Sequence, residues 1–270
     1  MYKNSTKKLG QHFLNDETLL KEICSIGNVN KEDNILEIGA GEGTLTKKLL
    51  QTGAQVTTVE IDKKLIPNLK KLKNESPNLG IIHGDATKLN FKKIFSPTKI
   101  ISNLPYQIGT KIISEVCNYP EIFSIIIVMI QLEVAKRIVA SPGGKEYGSL
   151  TLWTQHRFET ELLKIVPPEM FSPPPKVESA IISLTPRKFP LVDIKNHEED
   201  YFKLIKISFA HRRKTLLNNL RNSDLPFLKN LNLENLLERS GIPKNLRAEA
   251  MAAKDFFILF EEIKKISNAL

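Results

Sequence analysis

Asn103, Leu104, Pro105 and Tyr106 follow an extended run, residues 99–102, and bring a side-chain amide, a restricted backbone and an aromatic face to one point. That combination suits an amino group on a flat ring. The Asn103 carbonyl oxygen can accept a hydrogen bond from an exocyclic NH2, the Leu104 carbonyl can accept the second, and Tyr106 can stack on the ring. Pro105 fixes its own φ and so restricts the turn. Open parallel sheets bind ligands at the carboxyl ends of their strands, which is where these four residues fall. They also fit an ordinary loop, so their meaning depends on what stands beside them.

Glu37-Ile38-Gly39-Ala40-Gly41-Glu42-Gly43 closes one strand and opens a helix, which puts glycine where backbone must approach a ligand and take unusual dihedrals. Gly39 and Gly41 fit either a dinucleotide or another nucleoside-bearing cofactor. Two details favour the second. The third glycine of a dinucleotide fingerprint is replaced by Thr44, and Glu37 and Glu42 put negative charge on both sides of the loop, a poor setting for a pyrophosphate. A cofactor with a positive sulfonium and an amino-acid tail fits better. Glu60 ends the next strand, about 20 residues further on, where an acid accepts from ribose hydroxyls in either cofactor class. Asp85 ends the strand after that, and either accepts from an adenine amino group or caps a helix.

Strand-like and helix-like segments alternate over residues 1–186, which predicts an α/β fold with a doubly wound sheet. Strands are expected at 34–38, 55–60, 79–83, 99–102 and 124–130, and helices at 45–51, 63–72 and 133–140. A last pair of strands is expected at 149–158 and 179–184, joined by a Pro-rich loop, 167–177, too stiff for regular helix. After Pro186 the pattern takes a helical period over 199–220, 233–240 and 247–266. The chain therefore divides, on this reading, into a sheet domain, 1–186, and a small all-helical carboxyl-terminal domain, 187–270.

With 270 residues, 41% of them hydrophobic, the chain is long enough for one α/β core and a small second domain. A formal charge of +9 points to an anionic partner, and nucleic acid is the commonest. Residues 187–270 hold 16 Lys and Arg against 11 Asp and Glu, the denser share of that excess. Cys24 and Cys117 lack the spacing of a disulfide framework or a zinc site, so no metal is expected. The longest apolar stretch, 122–130, is too short to span a bilayer, and a cytoplasmic location is expected.

With Gly39-Ala40-Gly41, Glu60, Asp85 and Asn103-Leu104-Pro105-Tyr106 in order at successive strand ends, the chain resembles the S-adenosylmethionine-dependent ribosomal RNA adenine dimethyltransferase family. Leu9-Gly10-Gln11-His12-Phe13-Leu14 is similar to the family's amino-terminal signature, the run from Phe171 through Pro173-Pro174-Pro175 to Val177 to its target-base loop, and Phe209-Ala210-His211-Arg212-Arg213-Lys214 to its arginine motif. The resemblance implies a Rossmann-like methyltransferase sheet and S-adenosyl-L-methionine as cofactor. His12, Leu14, Gly39, Gly41, Glu60, Asp85 and Asn103 would line the cofactor site, although many members carry asparagine at the position of His12. Asn103, Leu104, Pro105 and Tyr106 would hold the target adenine, with Phe171 stacking on its second face.

Lys176, Arg212, Arg213 and Lys214 are the expected phosphate contacts, with the two arginines on a helix and so pointing about 100° apart. The Pro-Pro-Pro-Lys-Val run and the Arg-Arg-Lys motif resemble the small-subunit branch more than the antibiotic-resistance branch that acts on large-subunit RNA. The implied reaction is N6,N6-dimethylation of two adjacent adenosines in a 3′-terminal hairpin of small-subunit (16S) ribosomal RNA, within an assembling 30S particle, and with no conspicuous heptad seam in the sequence a monomer is expected. The alternatives are a large-subunit rRNA adenine methyltransferase of the antibiotic-resistance type and a ribosome-assembly factor whose binding role outweighs catalysis.

Overall fold

Short apolar runs between turns become the inner strands of a seven-stranded sheet in the computed structural model, which describes residues 12–93, 99–194 and 197–267. Leu9, Gly10 and Gln11 of the expected amino-terminal signature lie outside the described residues. β1 (Phe13–Leu14) pairs antiparallel with β8 (Phe171–Ser172) in a separate two-stranded ribbon. The sheet itself contains β2 (Asn34–Ile38), β3 (Gln55–Glu60), β4 (Leu79–His83), β5 (Lys99–Asn103), β6 (Ile125–Gln131), β7 (Phe158–Val166) and β9 (Ser179–Pro186), in the order β4-β3-β2-β5-β6-β9-β7. The first five are parallel, and β9 and β7 join antiparallel at the β6 side. Ile35, Leu36, Ile100, Ile101 and the run from Ile126 to Ile130 are buried, as parallel strands covered on both faces require.

The chain leaves β2 for β3 and β4 on one side, then returns to place β5 on the other. That reversal opens a crevice beyond the carboxyl ends of β2 and β5, and both candidate loops begin there. The helix Glu17–Ile26, which follows β1, is capped by the Asp16 carboxylate accepting from the Leu19 N–H at 2.7 Å, and buries Leu19, Leu20 and Ile23. The helix Gly109–Val116 starts directly after the Asn103–Tyr106 loop, because the Pro105 carbonyl accepts from the Gly109 N–H at 3.0 Å.

Two compact units result, Met1–Lys136 with Phe158–Arg187, and Arg137–Arg157 with Lys188–Leu270. The expected boundary near residue 186 is thus one of three crossings, and residues 137–157 leave the sheet unit. Among the described residues the second unit contains helices only, around a core that includes Tyr147, Leu152, Tyr201, Leu204, Leu236 and Phe256. No helix among the described residues is long and apolar enough to cross a membrane.

Three segments correct the sequence reading. Residues 149–158, expected as a strand, form the helix Ser149–Arg157, and the strand is β7, which follows it. Thr151 and Thr154 favour strands, yet here their hydroxyls donate to the carbonyls of Arg137 and Leu150 at 2.6 and 2.9 Å. Burial of Leu150, Thr151, Leu152, Thr154 and His156 removes any one-sided pattern. The expected helix 199–220 breaks into Glu198–Ser208 and Leu216–Arg221, so Arg212 and Arg213 stand in the turn between them rather than on a helix. The expected helix 247–266 begins at Ala253, after a single 3-10 turn at Ala248–Ala250.

Candidate active site

The glycine loop and the Asn103–Tyr106 loop are built against each other. Gly39 sits at φ +80°, and a Cβ there would stand 2.9 Å from the Pro105 ring. Gly41 sits at φ +59°, where a Cβ would stand 3.0 Å from the Phe13 ring. Both positions therefore need glycine for dihedral and for space. Below the loops the Ser102 hydroxyl accepts from the Ile38 N–H at 2.7 Å, locking the end of β2 to the end of β5. The Leu104 N–H donates to the Met129 carbonyl at 3.0 Å, which fixes the peptide of the Asn103–Tyr106 loop.

Asn103 donates from Nδ2 to the His12 carbonyl at 3.4 Å. With the amide nitrogen turned that way, Oδ1 is left as an acceptor. Tyr106 is held at both ends: its hydroxyl lies 2.5 Å from the Ser179 hydroxyl, and its ring lies 5.6 Å from that of His12. Burial raises the Tyr106 pKa, so the phenol stays neutral. His12 in turn donates from Nδ1 to the Pro173 carbonyl at 2.8 Å, tying the segment before β1 to the Pro-rich loop. Thr44, which stands where a dinucleotide loop has glycine, donates its hydroxyl to the Leu14 carbonyl at 3.0 Å. The threonine thus holds β1 over the glycine loop, a role that its position in the sequence does not reveal.

Glu60 is 3% exposed, and its carboxylate oxygens accept from the Gly41 N–H and the Asp62 N–H, each at 2.8 Å. Asp85 uses one oxygen, Oδ1, for the Thr87 N–H and hydroxyl at 2.9 and 2.8 Å, and these bonds hold its pKa below the usual carboxylate value. The two readings of Asp85 are compatible, since the turn takes Oδ1 and Oδ2 remains. Both carboxylates, with His12, Leu14, Gly39, Gly41, Asn103 and Tyr106, line one cavity of about 320 Å³.

Glu42 is exposed and does not line this cavity, whereas Glu37 lines it and is buried. Desolvation pushes the Glu37 carboxyl up to about 7, against the pull of hydroxyl bonds such as that from Thr46 at 2.5 Å. Of the two carboxyls expected to bracket the loop, only Glu37 faces the cavity, and burial favours its protonated form. Several lining residues were missed, Ile61 and Lys111 among them. Ile61, 53% exposed, follows Glu60 and offers an apolar wall, and Lys111 stands on the first turn of the helix Gly109–Val116, near enough to Asp85 to lower its pKa. Ile61 could have been found as the apolar residue next to the ribose acid.

A family model described as ribosomal RNA adenine dimethylase matches residues 2–265. The chain belongs to that family. Proteins named ribosomal RNA small subunit methyltransferase A from Clostridium botulinum and Lactococcus lactis are each 40% identical to it, over 93% and 99% of this chain and 90% of either relative. Among solved structures, a dimethyladenosine transferase from Plasmodium falciparum matches with a TM-score of 0.78 and 29% identity, covering 94% of this chain and 98% of that one. The 23S rRNA methyltransferase ErmE matches with 0.69 and 26%, covering 93% and 99%.

As a ribosomal RNA adenine dimethyltransferase, the enzyme uses S-adenosylmethionine, and the cavity fits that molecule. The bare backbone at Gly39 and Gly41, the fixed Glu60 carboxylate, the Asp85 Oδ2 left open by the turn and the apolar face of Ile61 are groups chemically suited to its amino-acid tail, ribose and adenine. Phe171 is not brought to this cavity. It is 4% exposed, stands opposite Leu14 in the ribbon and packs in the core with Leu14 and Met170, so the expected stacking face is withdrawn and the residue anchors the Pro-rich loop.

Lys176 is exposed in the loop that leads to β9. The dimethyltransferase does not leave Arg212 free for phosphate either. Its guanidinium donates to the Tyr147 and Lys145 carbonyls at 2.8 and 2.6 Å and pairs with Glu249 at 3.2 Å. Arg213 and Lys214 are exposed on the same turn.

Proposed function

We propose that this chain dimethylates the N6 amino group of adenosines in small-subunit (16S) ribosomal RNA, two adjacent adenosines of a 3′-terminal hairpin, within an assembling 30S particle. It acts on this reading as a cytoplasmic monomer. The observation that carries the chemistry is the Asn103 amide, whose Nδ2 is committed to the His12 carbonyl so that Oδ1 stands ready to accept from an amino group.

An adenine N6 lone pair is delocalised into its ring and is a poor nucleophile. Two acceptors, Asn103 Oδ1 and the Leu104 carbonyl, take its two N–H bonds, make the nitrogen more pyramidal and aim the lone pair. S-adenosylmethionine, when bound, would supply an electrophilic sulfonium methyl to that lone pair, with the thioether sulfur leaving with the carbon–sulfur electron pair. Positive charge grows on N6 during transfer, and the same two oxygens stabilise it, which is preorganisation with the sign opposite to an oxyanion hole. Holding the amine in line is worth up to about 7–11 kcal/mol for well-oriented reactants. No strong base is required, since the methylated aminium loses its proton to water.

Tyr106, fixed through Ser179 and His12, offers the stacking face. After one methylation the amine has a single N–H left, so one acceptor must be dispensable in the second step. The target leaves its own stack to enter, which is cheapest for an unpaired base. Support for the small-subunit address comes from the relatives named for that activity and from the Arg-Arg-Lys motif.

Transfer of labelled methyl from S-adenosylmethionine to unmethylated small ribosomal subunits, with the product mapped, tests the reading. Label is expected in small-subunit RNA as dimethyladenosine, and Asn103→Ala should lower kcat on the order of 100-fold. Label in large-subunit RNA would instead assign the chain to the resistance branch. Full assembly activity without transfer would leave a binding factor.

A further inference from the structure

Of the large apolar side chains that the described residues expose, Phe189 is the most open, at 72%. It sits in Pro186-Arg187-Lys188-Phe189-Pro190-Leu191, the stretch that follows β9, well apart in sequence from the cofactor cavity. A proline on either side restricts the backbone, and the Leu191 N–H donates to the His156 carbonyl at 2.7 Å, so the ring is presented from a held segment. Lys188 Nζ stands over the ring, 5.6 Å from its centroid. Lys188 is exposed and has no carboxylate partner among the described residues. An aromatic face in water with an unpaired cation beside it complements a flat ring that carries an anion.

We propose that Lys188 and Phe189 form a stacking contact for an unpaired nucleotide of the RNA substrate, the base lying on the Phe189 ring and its phosphate meeting Lys188. The inference rests on the reading of this chain as an RNA methyltransferase. A phenyl ring has no hydrogen-bonding edge, so the contact accepts any base and adds affinity without sequence choice. Bases inside an RNA helix are already stacked and out of reach, which restricts the site to a loop, bulge or end. Because the segment is held before binding, little freedom is lost when the base arrives. Lysine acts here as a point charge, so its share of the binding falls as salt rises.

The test uses the full chain and unmethylated small ribosomal subunits. Phe189→Ala is expected to raise the KM for subunits about tenfold, while cofactor affinity measured without RNA stays that of the wild type. Phe189→Trp should keep the wild-type KM, and the emission of the added indole should be quenched when RNA binds. Lys188→Ala should lower the slope of log affinity against log salt by about one. A wild-type KM and salt slope in both alanine variants would overturn the contact. A wild-type chain that methylates no small-subunit RNA would overturn the functional reading, and this inference with it, before any variant is made.

Discussion

Glu60 and Glu37 line the same cavity, both nearly sealed from water, yet their surroundings set them to different tasks. Glu60 receives two backbone N–H groups and is kept as a fixed acceptor. Glu37 lies near the carboxyl end of the interior strand β2, where burial outweighs its hydroxyl partners and lifts its pKa from 4.5 to about 7, with the Glu60 charge adding to the rise. A carboxyl raised on folding binds its proton more tightly in the native state. Its contribution is therefore complete below about 4.5, declines as pH rises, and is gone above about 7. At about 1.4 kcal/mol per unit, the loss amounts to up to about 3 kcal/mol. Glu37→Gln keeps an oxygen for the Thr46 hydroxyl and cannot titrate. Thermal melts at pH 5 and pH 8 should show the variant gaining on the wild type at the higher pH, and a gap that does not change with pH would mean that Glu37 does not titrate.

At the scale of elements, the turn between Glu198–Ser208 and Leu216–Arg221 is built by parts that the sequence does not bring together. Asn219 donates from Nδ2 to the carbonyls of Ser208 and His211, and Arg212 bonds to the Lys145 and Tyr147 carbonyls, so one arginine braces the turn while its neighbour faces water. Arg212→Ala should cost about 1–2 kcal/mol in a denaturant melt, because charged donors are lost from two carbonyls at a partly exposed site. Arg213→Ala should leave stability within about 0.5 kcal/mol and lower the salt slope of RNA binding by about one. Equal effects of the two variants on stability would contradict this division. The arginine motif was legible in the sequence, as were β2 to β5 and the cavity residues Glu60 and Asn103 at strand ends. Which arginine is spent internally was not, since its partners lie about 65 residues upstream and at Glu249. Nor was the withdrawal of Phe171, which follows from its pairing with Leu14. The helix Ser149–Arg157 was hidden because its strand-favouring threonines are buried on several sides and satisfied by helix and neighbouring carbonyls.

For the whole molecule, the composition change at Pro186 suggests a cut that the packing does not support. The chain enters the helical unit at Arg137, returns to the sheet at Phe158 and leaves again after Arg187, so β7 and β9 complete the sheet between two contributions to the other unit. Tyr147 and Leu152 are buried among Ile194, Tyr201, Leu236 and Phe256, all of them beyond the apparent boundary. A fragment ending at residue 187 would keep residues 137–157 and expose that apolar face, whereas replacing 139–156 in the same fragment with a Gly/Ser linker of equal length would remove it. The cavity itself draws only on residues from His12 to Lys111, so both fragments retain every lining side chain. The linker fragment is expected to melt cooperatively, with a midpoint that rises on adding S-adenosylhomocysteine, by about 2.7 kcal/mol of stabilisation at 100 times its Kd. The plain truncation should bind a hydrophobic dye and aggregate at a lower temperature, through the surface left open around Tyr147 and Leu152. A plain truncation that melts as sharply as the linker fragment, without dye binding, would assign residues 137–157 to the sheet unit after all.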